Sequence, residues 1–276
     1  MHGPEDRGHA RLRWTSTDVK TDRTQRWLAL GRTAPDEVVG PPGEDSSEVR
    51  AGCIAPVVQL IRAARPRVFA ISGPVGAGKS TIATAVSRSL ANLGMRAVAL
   101  SLDDFYLSRK ERDHRGIAWR AAPGSHDLDL MVRTLADIQD GARPLVLPRF
   151  DMSRDDRSAD ECHEEAPDVV LFDGWIIGYA GQGYERILSY LDWHLHLDVP
   201  KDVARERRFG RETRLREQTG RAFSPEEMQR FWDEVLGPGI DTWVPASADH
   251  ADIVVGFHAT GPSCLAEPRL DEFLPS

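Results

Sequence analysis

The sequence is short of several things, and each shortage excludes a class of protein. Of its 276 residues only three are cysteine: Cys53, Cys162 and Cys264. They are far apart, odd in number, and form no Cys-x-x-Cys pair. That excludes a disulfide scaffold and the usual zinc spacings, and it fits reduced thiols in a cytoplasm. No apolar run approaches the ~20 residues that cross a bilayer, so no membrane partner is expected. The opening, MHGPEDRGHARLRW, has no apolar h-region, so no secretion signal is expected. Nor is positive charge in excess, with 35 Lys and Arg against 43 Asp and Glu. A duplex binder needs a basic face, so nucleic acid is not the expected partner. With 41% hydrophobic and 28% charged residues, the chain reads as a globular cytoplasmic protein, a monomer or a homodimer.

Residues 1–48 are polar and end in VVGPPGEDSSEV, a lead-in with a short helix expected near Gln25–Leu30. An ordered domain over 49–276 follows. It begins with an amphipathic helix, IAPVVQLIRAARP, and a short apolar run, RVFAIS, of buried-strand type. A glycine loop, a helix ending near Gly94 and a second strand, RAVALS, come next. DLDLMVRTLADIQDG predicts a helix with Asp127 as N-cap and an apolar stripe of Leu128, Met131, Val132, Leu135 and Ile138. PLVLPRF, DVVLFDG, HLHLDV and ADIVVG predict strands, and RDDRSADECHEE a solvated loop. SPEEMQRFWDEVLG carries Ser224 as N-cap, Pro225 at the first helical position and Glu227 closing a capping box. Strands alternating with helices imply an α/β fold with a mostly parallel sheet.

What the sequence does have is ISGPVGAGKST. Gly73, Pro74, Val75, Gly76, Ala77, Gly78, Lys79 and Ser80 match G-x-x-x-x-G-K-[ST], with Thr81 following. A strand precedes the loop and a helix follows it, as phosphate binding requires. The glycines let backbone N–H groups converge on phosphate oxygens. Lys79 would reach the β- and γ-phosphates of ATP, and Ser80 would ligate Mg2+. The helix adds its positive N-terminal end.

If the phosphate is transferred, an acceptor hydroxyl must lie in line with it, beside a carboxylate that takes its proton. Asp103 and Asp104, in SLDDFYL, stand at the carboxyl end of the next strand, the edge where open α/β sheets bind ligands. SLDDFYL resembles the segment after the second strand in the phosphoribulokinase, uridine kinase and pantothenate kinase superfamily of P-loop kinases. The resemblance implies a P-loop NTPase-type three-layer fold with a helical lid, and makes Asp103, two places before Phe105, the proton acceptor. PGSHDLDL, LPRFDMSRDDR and VVLFDGW are more narrowly similar to D-glycerate 3-kinases of the plant, fungal and cyanobacterial type, over residues 66–180. Ser125, Met152 and Asp173 stand where that pattern has Thr, Lys and Glu, and beyond residue 200 the pattern is not followed.

Read physically, Asp173, ending a buried strand, is the candidate metal carboxylate, directly or through water, with a plain strand-end turn residue as the alternative. His126 is a donor to a substrate oxygen. Arg149 and Arg157 are the two choices for pairing a substrate carboxylate bidentately. Asp104, Tyr106, Asp151 and Trp175 are further acceptor-side candidates. Residues 201–222 resemble the arginine-rich lid of nucleoside kinases in the superfamily. Eight Lys or Arg meet four acids between Lys201 and Arg221, and Arg207, Arg211 and Arg214 recur on one helical face. Closing that face over the phosphates would make Arg211 and Arg214 catalytic. The plainer reading is a solvated helix with Glu212–Arg216 and Glu217–Arg221 pairs. The expected function is an ATP- and Mg2+-dependent kinase for a small hydroxylated metabolite, D-glycerate first. A nucleoside, pantothenate-like or secondary-metabolite alcohol is the alternative acceptor. A nucleotide-binding regulatory protein with little transfer activity is the alternative of another class.

Overall fold

Val68–Ser72 (β1) has all five residues buried, and it forms the middle of the structure. The computed structural model describes residues 49–220, 222–258 and 261–266. The lead-in over 1–48 and its expected helix lie outside the described residues, as do Arg221 and the side chain of Cys264.

A π-turn, Arg50–Ile54, opens into α1 (Ala55–Ala64) and then β1. The glycine loop leads to α2 (Lys79–Asn92) and β2 (Ala97–Ser101). Next come α3 (Arg109–His114), α4 (Leu128–Asp140), β3 (Leu145–Leu147), β4 (Phe150–Asp151), β5 (Asp156–Arg157) and β6 (Glu161–His163). β7 (Val169–Asp173), β8 (Trp193–Asp198), α5 (Lys201–Thr219), α6 (Pro225–Phe231), α7 (Gly237–Ala248), β9 (Ile253–His258) and β10 (Gly261–Ala266) complete the order.

The main sheet runs β2-β7-β1-β8-β9-β10. Its first five strands are parallel, and β10 returns antiparallel to β9. Helices flank it, with α2 against β1, β2 and β7 and α4 against β1, giving the expected α/β three-layer arrangement. α4 starts where its cap dictates: the Asp127 side chain accepts from the Leu130 amide, and Gly141 ends it in the left-handed region. One consequence of the strand order could not be read in advance. β7, late in sequence, inserts between β1 and β2, so the ends of three strands meet at one edge.

Two expectations are corrected. Pro144–Phe150 is not one strand of the main sheet. It divides into β3, paired antiparallel with β6, and β4, paired with β5. The acidic stretch expected as a loop supplies β5 and β6. Strands of two or three residues carry too little alternation to show in a sequence. The helix from Ser224 also runs on, through a π-turn at Trp232–Leu236 into α7. Gly237 and Pro238, at the expected end of the helix, lie instead in the first turn of α7.

Candidate active site

The glycine loop starts from the carboxyl end of β1. At Gly73, with φ of 140°, a Cβ would stand 2.5 Å from the Leu197 carbonyl oxygen of β8. At Gly76, with φ of 78°, it would stand 2.6 Å from the Ala204 carbonyl oxygen of α5. Only glycine lets β8 and α5 close on the loop from either side. The Ala77 amide donates to the Pro74 carbonyl, tightening the turn, and Gly78, in the left-handed region, opens α2. Val75 is half-buried beside the loop, and Ser80 and Thr81 are exposed on the first turn of α2. The Lys79 ammonium donates to the Gly73 and Pro74 carbonyls, 2.9 Å each. Burial brings its pKa down to about 8, against the pull of Asp173 and Asp103, and with a push from Arg211. Beneath the loop, Ser72 Oγ lies 2.6 Å from His194 Nε2 and 2.8 Å from His196 Nδ1. The alternate histidines of HLHLDV thus share a face and tie β8 to β1.

Ser101 ends β2 directly opposite Asp173 of β7. Its hydroxyl donates to Asp173 Oδ1 at 3.1 Å and accepts from the Asp103 amide. The two aspartates that follow do not leave on opposite faces of a strand. They lie in a 3-10 turn, Leu102–Phe105, closed by a capping box between Ser101 and Asp104. Asp104 accepts from the Ser101 amide at 3.0 Å, Arg149 Nη1 at 2.9 Å and the Phe150 amide at 3.3 Å, so it locks the turn. Asp103 lies beside the Tyr106 hydroxyl and within electrostatic reach of Asp173 and Lys79. Burial raises its pKa, with the Tyr106 hydroxyl acting the other way.

The residues expected to meet the acceptor are arranged differently. Tyr106 is buried, stacks on His126 with centroids 4.5 Å apart, and meets Phe150 edge-on. Arg149 spends its guanidinium on Asp104, Glu161 and the Ala99 carbonyl, holding the turn to the β3–β6 ribbon. Its bidentate partner is this framework. Arg157 pairs with Asp127 at 3.0 Å. Asp151 caps its own turn, accepting from the Ser153 amide and hydroxyl and the Arg154 amide. Trp175 is buried, donates to the Ala121 carbonyl at 3.1 Å and packs edge-on against Trp243. Three participants escaped the sequence reading. Ser101 was signalled by the S-x-x-D pattern of SLDD. Tyr184, bonded to His126, and Arg120, bonded to Asp155, carried no local signal.

α5 packs across the loop at Gly76. The expected Glu212–Arg216 pair does not form. Buried Glu212 instead takes Arg208 and the Phe223 amide, while Arg216 donates to the Phe223 carbonyl. The Glu217–Arg221 pair falls outside the described residues. Arg205 lies over Phe209 and Trp232, and Lys201 pairs with Asp241. Arg207, Arg211 and Arg214 have no hydrogen-bond or ion-pair partner among the described residues.

The two residues expected to meet magnesium, Ser80 on the first turn of α2 and Asp173 at the end of β7, offer oxygen donors alone. That set suits a hard cation that keeps several waters. Among the described residues no group of three or more His, Cys, Asp or Glu forms an all-protein metal cage. No helix in them is long and apolar enough to cross a membrane.

Comparison with known proteins agrees with this geometry. The profile of the Phosphoribulokinase / Uridine kinase family matches residues 68–258. A uridine kinase of Staphylococcus epidermidis is 26% identical over 68% of this chain and 86% of its own. The chloroplastic D-glycerate 3-kinase of Arabidopsis thaliana is 30% identical over 41% of this chain, and the match spans only 29% of that protein. Among solved structures, D-glycerate 3-kinase from Cryptococcus neoformans superposes with a TM-score of 0.61. It covers 76% of this chain and 96% of that one at 18% identity, a likeness of fold.

Proposed function

The chain belongs to the Phosphoribulokinase / Uridine kinase family, an ATP-dependent kinase acting on a hydroxyl of a small molecule, and on that premise we propose that its acceptor is D-glycerate, phosphorylated to 3-phosphoglycerate. The observation that carries the catalytic assignment is the division of labour in the Leu102–Phe105 turn. Asp104 is taken up by three hydrogen bonds, while Asp103 faces Lys79 and Asp173. Asp103 accepts the proton of the acceptor hydroxyl as the O–P bond forms. Lys79 leaves the loop carbonyls for the β- and γ-phosphate oxygens. Arg211 and Arg214, without a hydrogen-bond or ion-pair partner among the described residues, add positive charge to the transferring group and exclude water as α5 closes. Ser80 and Asp173, the latter through water, would hold Mg2+, which supplies charge neutralisation at the phosphates. The glycerate assignment is supported by the PGSHD and PRFD segments, whose His126, Asp127, Arg149 and Phe150 contact Asp104, Phe105 and Tyr106, the neighbours of Asp103.

The test is a screen of hydroxyl acceptors, with the product identified by mass. D-glycerate should give acceptor-dependent ATP turnover and a monophosphate. The family's uridine kinases favour a second reading, a nucleoside acceptor. Turnover of uridine with none of D-glycerate would replace the first reading by the second. ATP hydrolysis indifferent to every acceptor would leave a nucleotide-binding protein without transfer.

A further inference from the structure

Two features of the acceptor wall remain unused. The first is a charge imbalance. Asp155 accepts from both Arg112, at 2.6 Å, and Arg120, at 3.0 Å. Arg112 is buried and spends its other contact on the Leu107 carbonyl, while Arg120 is mostly covered and also donates to the Met152 carbonyl. Two guanidinium groups therefore share one carboxylate in a partly dry place, and the cluster keeps about one positive charge. It is continuous with the site. The Leu107 amide donates to the Ser125 carbonyl, and Arg120 acts electrostatically on the Tyr106 hydroxyl, which lies beside Asp103.

The second feature is a buried nitrogen with nothing to bond. His126 is 3% exposed, and its Nε2 has no partner among the described residues. Burial lowers the pKa of this imidazole to about 3, so the ring is neutral. Its tautomer follows from its neighbours. Among the described residues His126 Nδ1 is the hydrogen-bond partner of the buried Tyr184 hydroxyl, so the arrangement that leaves fewest polar atoms unmet has the Tyr184 O–H donating to Nδ1. Nδ1 is then the acceptor and Nε2 carries the hydrogen. A buried N–H left unmet is costly, so a ligand oxygen that reaches it gains what the free protein lacks.

From these features, and resting on the kinase reading above, we infer that Arg120 and His126 form an acceptor-anion subsite. Arg120 pairs with the carboxylate of a small hydroxy acid, and His126 Nε2–H donates to an oxygen of the same molecule, whose hydroxyl lies at Asp103. Specificity follows from charge. A neutral acceptor leaves the positive cluster and the buried N–H unmet, and a site whose polar groups go unpaired rejects such a ligand strongly.

The experiment compares D-glycerate with D-glyceramide, its neutral isostere, in the wild type, Arg120→Gln, Arg120→Lys, His126→Phe and Tyr184→Phe. KM for ATP is followed throughout, and thermal melting checks folding. Arg120→Gln should raise the KM for D-glycerate roughly 10- to 100-fold and collapse the preference for acid over amide, since hydrogen bonds to charged groups are the strong ones. Arg120→Lys should recover part of that preference. His126→Phe keeps the stack on Tyr106 and loses the N–H together with the Tyr184 hydrogen bond; paired with Tyr184→Phe, which loses that bond alone, it should raise KM roughly tenfold beyond the Tyr184 variant. If Arg120→Gln does not fold, Arg120→Lys and His126→Phe decide alone. A wild type that uses D-glycerate while the variants keep its preference overturns the subsite and leaves the proposed function standing. A wild type that uses only neutral acceptors overturns both.

Discussion

The nucleotide side and the acceptor side of this site are built by different means. The nucleotide side is made of strand ends. β1 and β7 are buried along their whole length, and the loop between β1 and α2 would recognise phosphate through its backbone. The acceptor side is made of side chains on turns and short ribbons, held by Arg149, Arg157 and the Arg112–Asp155–Arg120 cluster. Backbone recognition needs glycines at fixed spacing and tolerates changes elsewhere. Side-chain recognition depends on which of several charges pair, and one change redirects the rest. The first side should therefore fail in chemistry when altered, and much of the second in stability or specificity.

The adjacent aspartates give the sharpest contrast, because they straddle the boundary. Asp103→Asn removes the charge and keeps the shape. It should lower kcat roughly 10²- to 10⁴-fold, the range for loss of a general base, with ATP binding and melting temperature little changed. Asp104→Asn weakens the lock between the turn, Arg149 and Phe150. It should cost about 1–3 kcal/mol of stability, read by denaturant unfolding, with the smaller effect on kcat. The reverse pattern would move the acceptor to the other side of the turn.

Lys79→Ala should lower kcat roughly 10²- to 10³-fold, as loss of one preorganised electrostatic donor does, without destabilising the fold. Retention of most turnover would break the assignment of the loop. On the lid the expected effect is smaller. Arg211→Ala or Arg214→Ala should lower kcat about tenfold, or about 1.4 kcal/mol of barrier, while KM for ATP changes less. An unchanged kcat would return α5 to a solvated helix.

The smallest effect is in the pH profile. Burial raises the Asp103 pKa, so the acid limb of kcat/KM should lie above the ordinary carboxylate value, with activity rising as Asp103 loses its proton. Burial brings Lys79 to about 8, so ATP affinity should fall as pH rises through that value and the ammonium is lost. Asp103→Asn should abolish the acid limb. Lys79→Arg, always charged, should move the alkaline limb upward. A profile flat from pH 5 to 9 in the wild type would contradict both environments.

How much could be read in advance follows the same division. G-x-x-x-x-G-K-S is a local pattern, since consecutive amides must converge on one anion, and its strand and helix are adjacent in sequence. The cap at Asp127, the capping box at Ser224 and the shared face of His194 and His196 are local too. The α/β class followed from the alternation of strands and helices, and the resemblance to P-loop kinases from SLDDFYL and the segments after it. The tertiary structure decided what depends on strand order and on competition among charges. Inserting β7 between β1 and β2 set Asp173 beside Ser101, from segments 72 residues apart. Arg149 went to Asp104 and Glu161, Glu212 chose Arg208 over Arg216, and Arg120 joined Arg112 on Asp155. Spacing cannot settle such choices. A long charged side chain reaches several partners, and the one it takes is fixed by which site the packed fold has already closed to water.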